Sequence, residues 1–247
     1  MSSYTIAGFT HRGAVRDRNE DVFAIDELIG RGDMVDASIL HLNGNFHVLM
    51  VADGMGGHAH GELASTTAIE TLIGNRRTLG NQETCASALL AANHRLYEVM
   101  QLKPETAGMG TTIVGAALSQ NSIVHFNVGD SRAYRHSPGH LVLLSEDDVP
   151  GEPRWSGARP SHFITQSLGG REVHDRIAPH VAVAPPLIPG EALLLCSDGL
   201  TDLVSDNELF QVLEGIPEPP ACARALLTLT FRAGAFDNVT ILIARAE

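Results

Sequence analysis

The sequence predicts an α+β fold in which helices pack outside antiparallel sheets. Strand-like and helix-like segments follow one another in blocks, in the order strands, helices, strands, helices, strand, without the strict alternation of a parallel sheet. The chain has 247 residues, of which 44% are apolar, so it can bury a substantial core. It contains no internal repeat and no long linker, and we expect one domain over residues 1–247.

The first part of the chain is predicted to hold three short strands followed by two helices. The apolar run at 47–51 stops abruptly at AspGlyMetGlyGly, which is typical of a strand that ends in a tight turn. Between 83 and 102, apolar residues recur at intervals of three and four, which makes one apolar stripe along a helix. The predicted elements are strands at 4–9, 22–26 and 47–51 and helices at 62–79 and 83–102.

The hydrophobic period changes after about residue 111. Four successive apolar segments separated by Gly, Asn and Pro turns predict an antiparallel meander, and a polar loop with Pro, Gly and Asp follows at 145–163. The predicted elements of this part are strands at 112–118, 122–128, 132–136, 140–144, 191–196 and 238–244 and helices at 206–214 and 219–231.

Charge, hydropathy and cysteine content exclude several classes of protein. The formal net charge of −12 argues against nucleic acid as a partner, because binding to a phosphate backbone needs a basic face. No apolar run approaches the roughly 20 residues of a membrane helix, and the N-terminus lacks the features of a signal peptide. The odd number of cysteines, Cys85, Cys196 and Cys222, argues against a disulfide framework. We therefore expect a cytoplasmic protein with no membrane partner.

Acidic residues stand beside glycine or asparagine where predicted strands end. Carboxylates placed in this way can converge at one edge of the sheets, and a cluster of Asp and Glu suits Mn²⁺ or Mg²⁺ better than zinc. Two such ions can activate a water and neutralise phosphoryl oxygens, and one arginine is expected to bind the phosphate. The acidic motifs are AsnGluAsp (19–21), AspGly (53–54), GlyAspSerArg (129–132), SerAspGly (197–199) and AspAsn (237–238).

Other phosphatase and nucleotide-binding mechanisms lack their motifs. A cysteine-based phosphatase needs Cys-x₅-Arg, but the residues six positions after the three cysteines are Ala91, Asp202 and Thr228. The sequence has neither a Gly-x₄-Gly-Lys-Ser/Thr loop nor a Gly-x-Ser-x-Gly elbow, which argues against a P-loop NTPase and an α/β-hydrolase.

Six motifs in one order resemble those of the metal-dependent protein phosphatases, the type 2C Ser/Thr phosphatases, and the resemblance spans nearly the whole chain. It implies a four-layer β-sandwich of two antiparallel sheets flanked by helix pairs, with a dinuclear metal site at one end, as in a bacterial stand-alone member of the family. The motifs are GlyAlaValArgAspArgAsnGluAsp (13–21), ValAlaAspGlyMetGlyGlyHis (51–58), GlyThrThr (110–112), ValGlyAspSerArgAlaTyr (128–134), CysSerAspGlyLeuThrAsp (196–202) and AspAsnValThr (237–240).

The resemblance also implies a role for individual residues. Arg16 is similar to the phosphate-binding arginine of the family, and with Asp21 and Asp53 it forms the implied catalytic set. The cofactor implied is two ions of Mn²⁺ or Mg²⁺, with a third ion that Asp130 shares with Asp198. The implied metal-binding residues are Glu20, Asp21, Asp53, Gly54 through its carbonyl, Asp130, Asp198 and Asp237.

Several of these roles have structural alternatives. Glu20 and Asp21 are adjacent and point to opposite faces of an extended segment, so only one of them need contact a metal directly. Asp130 could instead form a buried structural pair with Arg132, and GlyThrThr (110–112) is expected to have a packing role. The acid that protonates the leaving group is left open between a metal-bound water and His58.

Two further features of the sequence bear on metal and substrate binding. His58 and His60 form a His-x-His in a Gly-rich turn, where solvent-facing histidines are a better interpretation than a zinc site. The segment at 145–163 is shorter than the flap that the family usually has. It carries Arg154, Trp155 and Arg159, which could contact a phosphopeptide or be exposed without a role.

The sequence as a whole predicts a protein serine/threonine phosphatase. It would hydrolyse phosphoserine and phosphothreonine monoesters with a metal-activated water, act on phosphorylated protein substrates as a monomer, and oppose a bacterial Ser/Thr kinase. The short flap also suggests a member associated with a type VI secretion cluster. The alternatives are a catalytically weak phosphoprotein-binding regulator, which loss of Asp53 or Asp198 would indicate, and a small-molecule phosphomonoesterase with a closed pocket.

Overall fold

Two six-stranded antiparallel sheets dominate the computed structural model of the chain, which describes residues 2–56, 60–150 and 163–247. In chain order, the strands are β1 (Ser2–His11), β2 (Val22–Ile25), β3 (Leu28–Arg31), β4 (Ser38–Gly44), β5 (Phe46–Ala52), β6 (Gly54–Met55), β7 (Gly110–Thr111), β8 (Ile113–Ser119), β9 (Ile123–Val128), β10 (Arg132–Ser137), β11 (His140–Leu143), β12 (Leu168–Gly169), β13 (His180–Ala184), β14 (Ala192–Cys196) and β15 (Val239–Ala246). The α-helices are α1 (His60–Gly74), α2 (Gln82–Leu102), α3 (Asp198–Thr201), α4 (Asp206–Gly215) and α5 (Pro219–Arg232).

The strand order of each sheet mixes distant parts of the sequence. The first sheet has the order β11-β10-β14-β15-β1-β4, and the second has the order β13-β9-β8-β5-β2-β3. In the first sheet, β1 lies between β4 and β15, with Tyr4 opposite Leu42 on one side and Ala246 on the other. A small third sheet, β12-β7-β6, joins two-residue strands beside the turn that follows β5.

Three apolar cores show how the layers stack. Residues of β1, β2, β5, β8, β14 and β15 form a core between the two sheets, with Phe23 and Leu195 among its fully buried side chains. A second core lies between the second sheet and helices α1 and α2. A third lies between the first sheet and helices α3, α4 and α5. The layers are therefore helices, sheet, sheet and helices, and the predicted four-layer sandwich is confirmed.

The predicted meander of four strands is wrong. β8 and β9 pair in the second sheet, whereas β10 and β11 pair in the first. The chain passes from one sheet to the other between Val128 and Arg132, where Gly129 has a φ of +102°. A side chain at Gly129 would also lie 2.7 Å from the methyl group of Thr112. The glycine therefore allows a turn that sends the chain across the sandwich instead of into a hairpin.

The predicted helix at 62–79 is shorter in the structure. Helix α1 ends at Gly74, and a 3₁₀ turn follows at Arg76–Gly80. Glycine is a poor helix former, and the Asn75 side chain donates to the carbonyl of Thr71 at 3.0 Å, which satisfies a carbonyl of the last turn. Strands β3, β4 and β13 were not predicted, while the other long strands and helices lie close to their predicted positions.

Candidate active site

An open pocket of about 670 Å³ lies where strands of both large sheets end. Its wall contains all the predicted site residues except Asp21, which lies buried below it. The residues come from five separate segments of the chain that meet at this edge. These segments are the ends of β5, β9 and β14, the segment before β2 and the start of β15. The predicted residues in the wall are Arg16, Glu20, Asp53, Gly54, Asp130, Asp198 and Asp237.

Asp53 follows the last residue of β5, and its backbone is fixed by two threonines. Thr111 Oγ1 and the Thr112 N–H both donate to the Asp53 carbonyl, at 2.8 and 2.9 Å. The Asp53 N–H donates to Thr112 Oγ1 at 3.2 Å, and that hydroxyl is 2.7 Å from Ser131 Oγ. The predicted packing role for GlyThrThr (110–112) was therefore too limited, because these hydroxyls tie the Asp53 turn to the turn that carries Asp130.

Two glycines let helix α1 approach the Asp53 turn closely. A Cβ at Gly54 would lie 2.3 Å from the carbonyl oxygen of Gly61, and a Cβ at Gly61 would lie 2.6 Å from Glu20 Oε2. Ser65 of the same helix donates its hydroxyl hydrogen to the Glu20 carbonyl at 2.6 Å. Only glycine fits at positions 54 and 61, and the close approach of the helix places the Glu20 carboxylate beside the Gly54 backbone.

Asp21 is fully buried below the pocket and is held by hydroxyl groups. Ser197 Oγ and Thr240 Oγ1 donate to its Oδ2 atom at 2.8 and 2.7 Å. Thr240 Oγ1 is also 2.7 Å from Thr10 Oγ1, which accepts from Asn19 Nδ2 at 2.8 Å. The Oδ1 atom of Asp21 is buried and has no hydrogen-bond partner among the residues that the structure describes.

Glu20 and Asp21 do point in different directions, as their adjacency predicts. Glu20 lines the pocket, while Asp21 lies behind the wall. Burial is the main reason that the pKa of Asp21 is raised to about 7; the charges of Asp198 and Asp237 also raise it, and the hydrogen bonds from Thr240 and Ser197 lower it. Asp21 is thus a buried acid that faces the same cluster from below.

Asp198 and Asp237 are brought together by a close contact of their neighbours. Asp198 is the first residue of α3, and Asp237 lies just before β15. A Cβ at Gly199 would lie 1.9 Å from the carbonyl oxygen of Asn238, so no other residue type fits at position 199 without a backbone shift. The two carboxylates therefore enter the pocket from adjacent segments.

Arg16 extends into this acidic pocket from the loop between β1 and β2. Its Nη2 atom donates to Asp237 Oδ2 at 2.6 Å. This hydrogen bond raises the pKa of Arg16, and the charges of Asp237, Asp53 and Asp198 add to the effect. A guanidinium group has five N–H donors, so a single bond to Asp237 leaves donors for another anion.

The cluster of acids has the chemistry of a site for hard cations. Burial raises the pKa of Asp53 well above its usual range, and the charges of Asp21, Asp198, Asp237 and Asp130 raise it further. In the described segments, no three His, Cys, Asp or Glu side chains are already drawn tightly together around one point. The described wall nevertheless contains carboxylate oxygens and no His or Cys side chain, and the unpartnered Asp21 Oδ1 lies behind it. A set of oxygen donors of this kind fits Mn²⁺ or Mg²⁺ rather than zinc.

Some residues that build the site received no role from the sequence. The Asn238 side chain donates to the carbonyls of Arg12 and Arg18 at 3.1 and 2.8 Å and accepts from the Glu20 N–H at 2.8 Å. Asn238 therefore fixes the loop that carries Arg16. Arg18 lines the pocket as a second cation. Asn238 and Ser197 lie inside the acidic motifs at 237–238 and 197–199, and this position was the signal that could have identified them.

The remaining sequence predictions can be placed only in part. Arg132 forms its ion pair with Asp147, at 2.6 Å, while Asp130 lines the pocket. His58, Arg154, Trp155 and Arg159 lie outside the described residues, so their predicted roles stay predictions. No helix in the described parts of the chain is both long and apolar enough to cross a membrane.

The fold and the site together define a class of protein: a four-layer sandwich that carries, at one end, an acidic pocket with an arginine. Comparison with known proteins agrees with this class. The family model described as protein phosphatase 2C matches residues 33–218. The serine/threonine protein phosphatase PstP of Mycobacterium tuberculosis is 32% identical over 96% of this chain, which spans 44% of the length of that relative.

Two solved structures extend the comparison. The catalytic domain of PstP in complex with two manganese ions is 31% identical and has a TM-score of 0.78, with 100% of this chain and 99% of that chain covered. PppA, described as a key regulatory component of T6SS in Pseudomonas aeruginosa, is 32% identical with a TM-score of 0.74, over 99% and 100% of the two chains.

The chain belongs to the protein phosphatase 2C family. Its members are Mn²⁺- or Mg²⁺-dependent phosphatases, and the similar proteins of Mycobacterium tuberculosis and Listeria monocytogenes carry the name serine/threonine phosphatase. The predicted family, fold class, enzyme class and metal cofactor are therefore confirmed at the level of the family.

Proposed function

We propose that this chain hydrolyses phosphoserine and phosphothreonine monoesters of protein substrates in the presence of Mn²⁺ or Mg²⁺. The observation that carries the proposal is the convergence of acids from distant segments in one pocket with Arg16. A pocket that kept the fold for binding alone would not need this many carboxylates, whose mutual repulsion opposes folding in the absence of a cation.

Each acid in the proposed site has a place suited to its role. Asp53 is close enough to the other acids to feel their charges, and it would hold the metal ions together with the Gly54 carbonyl and Glu20, which lie on the side of helix α1. Asp198 and Asp237 would also hold the metal pair, and Asp130 with Asp198 would hold a third ion. Asp21, fixed by Ser197 and Thr240 behind the wall, is proposed to orient the cluster.

The chemistry divides between the cofactor and the protein. When bound, Mn²⁺ or Mg²⁺ supplies Lewis acidity, which makes a water nucleophilic at neutral pH and neutralises phosphoryl oxygens. Arg16 binds two oxygens of the phosphoryl group through its fork of N–H donors and stabilises the charge that they carry in the transition state. The Asp53 backbone, locked by Thr111 and Thr112, holds the reacting geometry without reorganisation.

We further propose the setting in which the phosphatase acts. Residues 1–247 form one catalytic domain that acts as a monomer in the cytoplasm on phosphoproteins, opposite a Ser/Thr kinase. PppA, which is similar to this chain over its full length, supports a role in the regulation of a type VI secretion system. Phosphoproteomics with and without the protein would identify the substrates and, through them, the kinase.

Substitution of two pocket acids tests the activity. Asp53→Ala and Asp198→Ala should each abolish Mn²⁺-dependent hydrolysis of a phosphothreonine peptide, because each removes a carboxylate from the centre of the cluster. Circular dichroism should show that both variants remain folded. Asp36→Ala, which removes an exposed carboxylate outside the pocket, is the matched control and should keep full activity. Hydrolysis that survives chelation in the unmodified protein would refute the metal-dependent mechanism.

A further inference from the structure

A smaller cavity of about 230 Å³ adjoins the candidate active site. Met55 and Ile164 belong to the walls of both cavities, so the two are continuous. We call the smaller cavity the side groove. Its apolar and cationic lining residues are Met55, Phe163, Ile164, Arg171, Arg176 and Ile177. A substrate chain that places a phosphorylated residue in the main pocket can therefore reach the side groove.

The side groove carries positive charge in a strongly acidic protein. Arg171 Nη1 is 2.9 Å from Asp175 Oδ2, and the other oxygen of Asp175 accepts from the backbone N–H of Arg176 at 2.8 Å. Asp175 thus neutralises Arg171, while the guanidinium of Arg176 pairs with no carboxylate within the described ranges of the chain. The charged residues that line the groove, Arg171, Asp175 and Arg176, carry one net positive charge, whereas the whole chain has a net charge of −12.

Helix α2 holds the backbone of the side groove in place. Asn93 Nδ2 donates to the Asp175 carbonyl at 3.2 Å, and Asn93 Oδ1 accepts from the Gly169 N–H at 2.8 Å. Tyr97 Oη donates to the Gly169 carbonyl at 3.2 Å and accepts from the Asp175 N–H at 3.4 Å. Two buried side chains of one helix therefore connect both sides of the groove, and the arginines extend from a fixed backbone. A site organised before binding loses less entropy when a ligand binds.

Apolar side chains line the groove together with these arginines. Phe163 is 78% exposed, and Met55 and Ile177 are partly exposed. Exposed aromatic and aliphatic groups in a groove are a favourable surface for the stem of a peptide residue. The groove thus pairs an apolar wall with a cationic end, which suits a side chain that has a methylene stem and an anionic head.

We propose that the side groove binds an acidic side chain of the substrate that lies a few residues from the phosphorylated Ser or Thr. The ligand class is an anion on a short stem, either the carboxylate of Asp or Glu or a second phosphate. Arg176 determines this specificity, and Arg171 contributes less because Asp175 already pairs with it. The proposal rests on the proposed phosphatase function and narrows its substrates to acidic or multiply phosphorylated sequences.

The spacing between the two anions follows from the reach of a peptide. An extended chain advances about 3.3 Å per residue, so adjacent cavities with shared walls are spanned within a few residues. Binding in the groove is remote from the reacting atoms and is the same in the ground state and the transition state, so it should lower KM and leave kcat nearly unchanged. A loss of folding would lower kcat as well, which separates the two explanations.

Peptide hydrolysis tests the proposal directly. Phosphothreonine peptides with an alanine background should carry one Asp, or one Asn of the same size, at each of the four positions before and after the phosphothreonine. At one or two positions, the Asp peptide should have a kcat/KM about tenfold above that of the Asn peptide, as expected for one charge-assisted contact. A third peptide series, with a non-hydrolysable phosphonate at each of the same positions, shows whether a second phosphate binds better than a carboxylate.

Variants of Arg176 assign the preference to the groove. Arg176→Gln should remove the advantage of the Asp peptide and leave the Asn peptide unchanged, and Arg176→Glu should invert the preference in favour of a Lys peptide. Arg224→Gln, which removes an exposed arginine of α5, is the matched control and should keep the preference. Hydrolysis of p-nitrophenyl phosphate, which is too small to reach the groove, should be equal in all of these proteins.

The outcomes separate the two proposals. Equal kcat/KM for Asp, Asn and phosphonate peptides at every position, with p-nitrophenyl phosphate still hydrolysed, would overturn the side groove and leave the phosphatase intact. An acidic preference that persists in Arg176→Gln would also overturn it. Failure of the unmodified protein to hydrolyse any peptide or p-nitrophenyl phosphate with Mn²⁺ would instead reject the proposed function.

Discussion

Two arginine–aspartate pairs of this chain have the same chemistry and opposite surroundings. Arg16 and Asp237 meet in the open pocket through one bond of 2.6 Å, with 58% and 34% of their side chains exposed. Arg132 and Asp147 meet through three contacts of 2.6 to 3.1 Å, with 11% and 12% exposed, and Arg132 also donates to the Tyr134 hydroxyl at 3.0 Å. The first pair is accessible to other ligands, and the second is enclosed.

The difference between the pairs indicates what each can do. A buried, multidentate pair is costly to break, since either partner left alone is an uncompensated charge. An exposed single bond is worth little to stability and can exchange one anion for another. We therefore assign Arg132 and Asp147 to the architecture, where they tie β10 to the segment after β11, and Arg16 to substrate binding.

The largest expected effect is on stability, at the enclosed pair. Arg132→Ala should lower the free energy of unfolding by about 3–5 kcal/mol, because Asp147 remains buried without a partner. Urea denaturation of the variant and of the unmodified protein measures this difference. A loss below about 1 kcal/mol would mean that Asp147 is solvated and that the two pairs do not differ as described.

The next effect is on catalysis, at the open pair. Arg16→Ala should reduce kcat/KM for a phosphothreonine peptide by about 10²- to 10³-fold, as expected when one donor to a charged transition state is lost. The free energy of unfolding should change by less than about 1 kcal/mol. Arg12→Ala removes another exposed arginine of the same loop, together with its pair to Asp33 after β3, and is the control that should retain activity. An equal loss in both variants would indicate that the loop, and not Arg16 itself, is responsible.

A smaller effect is expected behind the pocket wall. Thr240→Val preserves shape but removes one of two hydroxyl donors to Asp21. The Mn²⁺ concentration for half-maximal activity should rise about tenfold, because groups that orient a metal-binding cluster typically contribute that much to affinity. Thr228→Val, on the exposed face of α5, is the matched control. An unchanged Mn²⁺ dependence would show that Asp21 needs only Ser197.

The smallest effect is expected at a pair that neither builds the fold nor lines the pocket. Arg95 and Glu98 are exposed neighbours on α2, with Nη1 2.8 Å from Oε2. Arg95→Ala should change the free energy of unfolding by no more than about 0.5 kcal/mol and leave peptide hydrolysis unaffected. A larger loss of stability would show that exposed ion pairs contribute more to the free energy of unfolding of this acidic chain than their exposure indicates.

The sequence could indicate which acids lie together in the pocket because these acids are placed by local features. Asp53 and Asp198 each follow an apolar strand and precede a glycine, so their positions at strand ends could be predicted from the pattern alone. The hydroxyls of Thr10 and Thr240 could not be assigned, because both residues are typical of strands. Their contact with Asp21 depends on which strands become neighbours.

The topology was harder to predict than the elements for a similar reason. Segments 122–128 and 132–136 have the pattern of hairpin strands, yet they belong to different sheets. The one local sign that the chain passes to the other sheet is Gly129, whose positive φ favours glycine. Strand β4 pairs only on one side, and its alternating half-exposed residues gave a weak apolar signal. Pairing partners are chosen by the shared core between sheets, which a linear pattern does not contain.

The position of β1 between β4 and β15 affects the order in which the protein can fold during synthesis. One edge of β1 can pair with β4 soon after both leave the ribosome. The other edge must wait for β15, since Thr10 and Thr240 are separated by 230 positions. Closing so long a loop is slow and exposes an unpaired strand edge in the meantime. Asp237 lies two residues before that late strand, so the pocket is completed only when nearly the whole domain has been translated.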